Sequence, residues 1–127
     1  MKEIVSTAKA PGAIGPYSQA VKVAASQMLF CSGQLPLDPA SGQLATGSYA
    51  EQTKLVMDNL KAIIEASGFI MADVVKTTIY LTNLSAFSEV NSVYQSYFTE
   101  DFPARTTVQV DALPRGAALE IDAIVAK

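Results

Sequence analysis

Only two stretches of this 127-residue chain repeat their apolar residues at helical period, and that limits every fold open to it. In the first, Val56, Met57, Leu60, Ile63 and Ile64 mark one face. Ser48 and Glu51 precede it at capping-box spacing, and Gly68 supplies a left-handed stop. The second spans residues 85–98, with Phe87, Val90, Tyr94, Tyr97 and Phe98 as its stripe. The remaining periodic segments alternate as strands do. In residues 74–82, Val75, Thr77, Ile79 and Leu81 alternate with Lys76, Thr78, Tyr80 and Thr82. Residues 104–112 and 117–126 flank a turn at Leu113-Pro114-Arg115-Gly116 and read as a pair of strands. Shorter strands are expected over 2–6, 17–24 and 28–32, the last ended by Gly33. A Pro/Gly loop fills 11–16, and a turn-rich connection fills 34–47.

The order is therefore β-β-β-α-β-α-β-β, a single α+β domain over residues 1–127. Two helices cover one face of a mixed sheet of five or six strands, and no element remains for the other face. Half of the residues are hydrophobic, and a chain this short cannot hide all of them inside itself. The uncovered face is expected to meet another subunit.

Composition removes much chemistry. There is no histidine, so Ser-His and Cys-His couples and His-based zinc sites are excluded. Acid–base work falls to carboxylates, Lys, Tyr, Cys or water. Cys31 is the single cysteine and sits in the apolar run Met28-Leu29-Phe30, as a packing residue does. A net charge of −3 with scattered basic residues argues against nucleic acid as a partner. The opening residues lack a signal-peptide core, no apolar run is long enough to span a membrane, and a lone cysteine suits a reducing compartment. The expected location is the cytoplasm.

Two residues stand out on the last strands. Arg105 and Glu120 both read as sitting on the face away from the strands' apolar rows, and if the turn is centred near Leu113 they lie roughly across from each other. As a surface cross-strand ion pair they contribute roughly 0.2–1 kcal/mol. As a site, the guanidinium clamps a carboxylate and the glutamate orders or deprotonates a water. Tyr17 follows a Gly-Pro loop, Ser32-Gly33 allows a close backbone approach, and Asn91 lies beside the second helical stripe. Each of these also has a plain structural reading as a packing or backbone-holding residue.

Six blocks carry a resemblance. They are Gly15-Pro16-Tyr17-Ser18-Gln19-Ala20, Ser32-Gly33-Gln34, Gln52-Thr53 through Asn59-Leu60, Val90-Asn91 with Val93-Tyr94, Phe102-Pro103-Ala104-Arg105-Thr106-Thr107-Val108, and Leu113-Pro114 through Leu119-Glu120-Ile121. In this order and spacing, over almost the whole chain, the sequence resembles the reactive intermediate deaminase (Rid, YjgF-like) family. The resemblance implies a chorismate-mutase-like fold and a homotrimer with three clefts between subunits. It implies hydrolysis of 2-imino acids and enamines, such as 2-iminobutanoate and 2-iminopropanoate, to 2-keto acids and ammonia. Those substrates are released by pyridoxal-phosphate dehydratases, and no cofactor is implied for the deaminase itself. Arg105 then binds the substrate carboxylate and Glu120 positions water. Tyr17, Ser32, Gly33, Asn91 and Thr107 line the cleft. Thr107 departs from the cysteine often found at that position, and Thr99-Glu100-Asp101 is a short approach to Phe102. The rival readings are a ribonuclease or translation inhibitor, and a non-catalytic keto-acid-binding or chaperone-like protein.

Overall fold

The computed structural model describes residues 2–127. Its strands are β1 (Lys2–Val5), β2 (Ala20–Val23), β3 (Met28–Gln34), β4 (Val74–Leu81), β5 (Ala104–Gln109) and β6 (Leu119–Ala126). Its helices are α1 (Tyr49–Ala66) and α2 (Phe87–Gln95). The element order is the expected one.

Local chemistry sets the ends of α1. Ser48 is extended, and its hydroxyl accepts from the Glu51 N–H at 3.1 Å, which satisfies one of the free donors of the first turn. Gly68 stops the helix at φ +84°, and the Phe69 N–H returns to the Ile64 carbonyl at 3.1 Å. Between these ends Val56, Met57, Leu60 and Ile64 are fully buried. The second helix is shorter than its stripe. A 3-10 turn over Leu84–Ala86 precedes it. Past Gln95 the bonds tighten to i→i−3, from Tyr97 to Tyr94 and from Phe98 to Gln95. Tyr97 and Phe98 still pack against the core from this tightened turn.

The main sheet has four strands in the order β3-β6-β4-β5, and only β4 and β5 run parallel. β1 and β2 form a separate antiparallel ribbon, so the sheet is smaller than the five or six strands expected. A single parallel bridge, Ser18 to Ala104, joins the segment before β2 to β5. The residues that would extend it backward include Pro16 and Pro103, which have no N–H to donate.

Two further expectations fail. Gly33 does not end β3; the strand runs to Gln34 through a register shift between Cys31 and Gln34. The last two strands are not paired with each other. β5 lies at the sheet edge beside β4, and β6 is inserted between β3 and β4. The turn residues 113–116 lie in the longer connection that makes this crossing possible, with Arg115 and Gly116 both at positive φ.

Both helices cover one face of the sheet. Ile79, Leu81, Leu119, Ile121 and Val125 point into this layer and are 0% exposed, with Tyr94 and Val90 above them. Cys31 is buried in the same layer, and desolvation, then the Asp122 charge, raises its thiol pKa. The opposite face is open. Phe30 is 68% and Met28 54% exposed there, an apolar surface that a lone chain leaves in water.

Candidate active site

Register decides where the two charged residues point. Arg105 pairs with Thr77 and Thr107 with Ile79, and both partners are buried under the helices. Successive side chains of a strand alternate faces, so Arg105 and Thr107 lie on the helix side of the sheet edge. α2 meets Arg105 there with residues spaced i, i+4 and i+7. Arg105 Nη1 donates to Asn91 Oδ1 at 2.7 Å. The guanidinium carbon lies 5.3 Å from the Phe87 ring centre and 5.2 Å from that of Tyr94.

A fourth group comes from the loop. Ser18 is tied to the start of β5: its N–H donates to Pro103 O at 3.1 Å and its hydroxyl to Phe102 O. Gln19 pins the preceding loop by accepting from the Thr7 N–H and donating to the Pro11 carbonyl, each at 2.6 Å. Tyr17 is thereby laid over Arg105, with its ring centre 5.4 Å from the guanidinium carbon.

The electrostatics of this cluster are lopsided. Burial lowers the Arg105 pKa, against the opposing pull of Tyr94 and Tyr17. Guanidinium nonetheless remains charged at any physiological pH. Yet among the described residues the only ion pair is Lys54 with Asp58, an exposed pair one turn apart on α1. Asn91 takes one of five N–H donors, and four remain. A partly buried cation with free donors and no counter-charge among the described residues has the chemistry to receive an anion. Beside it, the Thr107 hydroxyl is the one buried side-chain polar atom without a hydrogen-bond partner among the described residues.

Glu120 is elsewhere. It pairs with Tyr80 on β4, between Leu119 and Ile121, which face the helices, so Glu120 points to the open face. A Cβ added at Gly33 would lie 1.9 Å from Glu120 Oε2, so the carboxylate rests directly on the Gly33 backbone. Ser32 is exposed at the same end of β3. Asp122 follows on that face and accepts from the Tyr80 hydroxyl at 3.1 Å.

The expected cross-strand juxtaposition of Arg105 and Glu120 is thus absent within one chain. β4 separates their strands, and they occupy opposite faces. The reason lies in β5: Val108 resembles a core residue but is 37% exposed on the open face, while Arg105 and Thr107 turn inward. The structure gathers Arg105, Tyr17 and Asn91 on one side, with Thr107 on the same face, and sets Glu120 against Gly33 on the other, with Ser32 exposed next along the strand. The sequence reading placed Phe87 and Tyr94 only in the packing stripe and missed their contact with Arg105. Their spacing around Asn91, a polar residue between two aromatic ones on a single helix face, was the available signal.

A surface cavity of about 630 Å³ lies in the outer groove of α1 and α2 and contains none of these residues. No group of three His, Cys, Asp or Glu among the described residues is placed to hold a metal ion. Among the described residues no helix is long and apolar enough to cross a membrane.

The fold is thus a small single α+β domain with a half-buried arginine, unpaired among the described residues, and a separate carboxylate on the opposite face. This chain belongs to the Rid/YjgF family: the family model described as Endoribonuclease L-PSP matches residues 7–127. A Myxococcus xanthus relative named Protein DfrA is 54% identical over 123 residues, 97% of this chain and 94% of its own. A Bos taurus relative named 2-iminobutanoate/2-iminopropanoate deaminase is 51% identical over 124 residues, 98% of this chain and 89% of its own. The structure of E. coli TdcF with bound serine is similar at a TM-score of 0.76 and 39% identity, covering 98% of both chains.

Proposed function

We propose that this chain hydrolyses reactive 2-imino acids and their enamines, 2-iminobutanoate and 2-iminopropanoate, to 2-keto acids and ammonia. The observation that carries the reading is Arg105, partly buried, held by neutral groups and without a carboxylate partner among the described residues. Hydrogen bonds from such a group to a substrate carboxylate contribute roughly 1.5–3 kcal/mol each. The names of the bovine relative and of the serine-bound TdcF structure support a small amino- or imino-acid ligand.

The reaction needs little more. A protonated 2-imino acid is electrophilic at C2. Glu120 accepts a proton from water as the oxygen attacks C2, and returns a proton to nitrogen as the C–N bond breaks. The C2 hydroxyl gives its remaining proton to the departing ammonia, so the keto acid and ammonium leave and the glutamate is regenerated as carboxylate. General-base help of this kind is worth about 10²–10⁴-fold. No cofactor takes part. Tyr17, Asn91 and Thr107 belong to the carboxylate side of the site, and Ser32 and Gly33 to the water side.

Because the two halves lie on opposite faces, the reading requires that Arg105 of one copy meet Glu120 of another. A closed homotrimer with three clefts satisfies this, and it covers the open apolar face. The imino acids come from pyridoxal-phosphate dehydratases in the same compartment, the cytoplasm.

The assay couples threonine dehydratase to semicarbazide, which traps 2-iminobutanoate; the protein should suppress the trapped adduct. Arg105→Ala and Glu120→Ala should each abolish the effect. Mixed, unfolded and reassembled together, they should recover about a quarter of the sites under random assembly of a closed ring. An undiminished adduct with folded wild-type protein refutes the deaminase reading. Absence of complementation refutes the shared cleft. The family's description as Endoribonuclease L-PSP favours RNA cleavage as the second reading, and RNA degradation lost in Arg105→Ala would support it.

A further inference from the structure

The groups that surround Arg105 share one property: none carries a charge. Asn91 offers an amide oxygen at 2.7 Å, and Tyr17, Phe87 and Tyr94 offer ring faces at 5.2 to 5.4 Å. Tyr94 is itself fixed, its hydroxyl bonded to that of Thr77 at 2.7 Å. Ring faces attract a cation without neutralising it. The amide oxygen orients one edge of the guanidinium, again without neutralising it. Asparagine and aspartate have the same shape, so position 91 sets only the charge. An aspartate there would put a carboxylate within bidentate reach of Arg105 and close the pair within the chain.

We propose that Asn91 is a positioning residue for Arg105 and not a substrate contact. It fixes the guanidinium through a neutral acceptor, so that the full positive charge stays available to a small monocarboxylate. The identity of that ligand rests on the deaminase reading; the role of Asn91 does not.

The test uses the full-length protein at fixed concentration, because assembly makes Tm concentration-dependent. Asn91→Asp should raise Tm by roughly 2–6 °C, since the half-buried guanidinium gains a charged partner. The same variant should bind 2-oxobutanoate at least about tenfold more weakly by calorimetry, the worth of one hydrogen bond to a charged group. In an Arg105→Met background the Tm gain should vanish, because nothing remains to pair with the new carboxylate. A substrate-contacting asparagine predicts weaker binding with no Arg105-dependent gain in Tm. A packing asparagine predicts lower Tm with binding intact. Either result overturns the proposal. A second variant, Asn91→Leu, removes the acceptor without adding charge. It should raise KM about tenfold and leave kcat within about threefold, as loss of uniform binding does; an unchanged KM overturns the proposal too. If wild-type protein binds no 2-oxobutanoate, the deaminase reading fails, and the Tm cycle still decides the role of Asn91.

Discussion

A methyl group at position 33 has no room beside Glu120. Built on Gly33, it would sit 1.9 Å from Glu120 Oε2, 2.6 Å from Cδ and 2.9 Å from Cγ. Carbon and oxygen approach without strain only to roughly 3.3 Å, so in Gly33→Ala the carboxylate must retreat by about 1.4 Å. It can do so, because it is the far end of a flexible side chain. The backbone does not object, since Gly33 is not among the residues at positive φ. Alanine in a compatible conformation even stabilises by about 0.4–1 kcal/mol through the unfolded chain. Stability should therefore stay within about 1 kcal/mol of wild type. Catalysis should not, because a misplacement of about 1 Å in a reacting group can cost about 10²-fold. In the semicarbazide assay kcat should fall roughly 10- to 100-fold, while 2-oxobutanoate binding, which depends on Arg105, changes little. Unchanged kcat in a folded Gly33→Ala variant would refute the claim that Glu120 acts from its seat on Gly33. A stability loss of several kcal/mol would instead show that the strand moves, and not the carboxylate.

Thr107→Val removes a buried hydroxyl that has no partner and should stabilise the protein by about 1 kcal/mol in chemical denaturation; a loss of stability would mean that the hydroxyl is bonded. Tyr94→Phe strands the Thr77 hydroxyl and should cost about 1–3 kcal/mol, while the ring against Arg105 and keto-acid binding persist. Burial pushes the Tyr94 pKa up to about 12 from its ordinary value of 10.0, so the folded state holds its proton longer than the unfolded chain does. Its contribution is complete below pH 10 and is lost as pH rises from 10 to about 12, and in Tyr94→Phe this part of the alkaline loss should disappear from a pH series of denaturation curves. Cys31→Ser places a hydroxyl in the apolar layer under α1 and should cost about 1–3 kcal/mol with turnover per folded molecule unchanged; lost turnover at full stability would give the thiol a chemical part.

Legibility followed the range of the interactions. The start and stop of α1 were readable because Ser48 and Gly68 act within a few residues of the turns they serve. The bare second face was readable by counting elements. The end of α2 was not, since Tyr97 and Phe98 keep their apolar contacts from a tightened turn. Strand pairing was least readable. A turn at 113–116 suggested a hairpin, but register with β4 is a matter of distant residues, and β4 takes β5 and β6 on opposite sides. The site inherited that error. Arg105, Tyr17 and Asn91 do converge, and Glu120 does meet Gly33, but the assumption of one shared face had joined the two sets within a chain.

β5 is where the alternation misleads, and the reason bears on function. Its inward positions hold Arg105 and Thr107, while Val108 faces out with Tyr80. This inverts the pattern of β4 and β6, whose apolar rows face in. An edge strand sometimes carries an inward charge only to discourage pairing with other chains. Such a charge works by staying hydrated. Arg105 is instead half-buried, bonded to Asn91 and flanked by three rings, an ordering that protection of an edge does not require. The outward apolar residues Val108, Phe30 and Met28 have the complementary problem: they are exposed at no benefit to a single chain. Under the proposed assembly both anomalies have one cause. A second copy seated on the open face covers the apolar residues, and the same contact brings the inward polar edge of one chain to Glu120 of the next. Departures from a binary pattern gather where a sequence answers to function, and here they fall on the residues that would share the cleft.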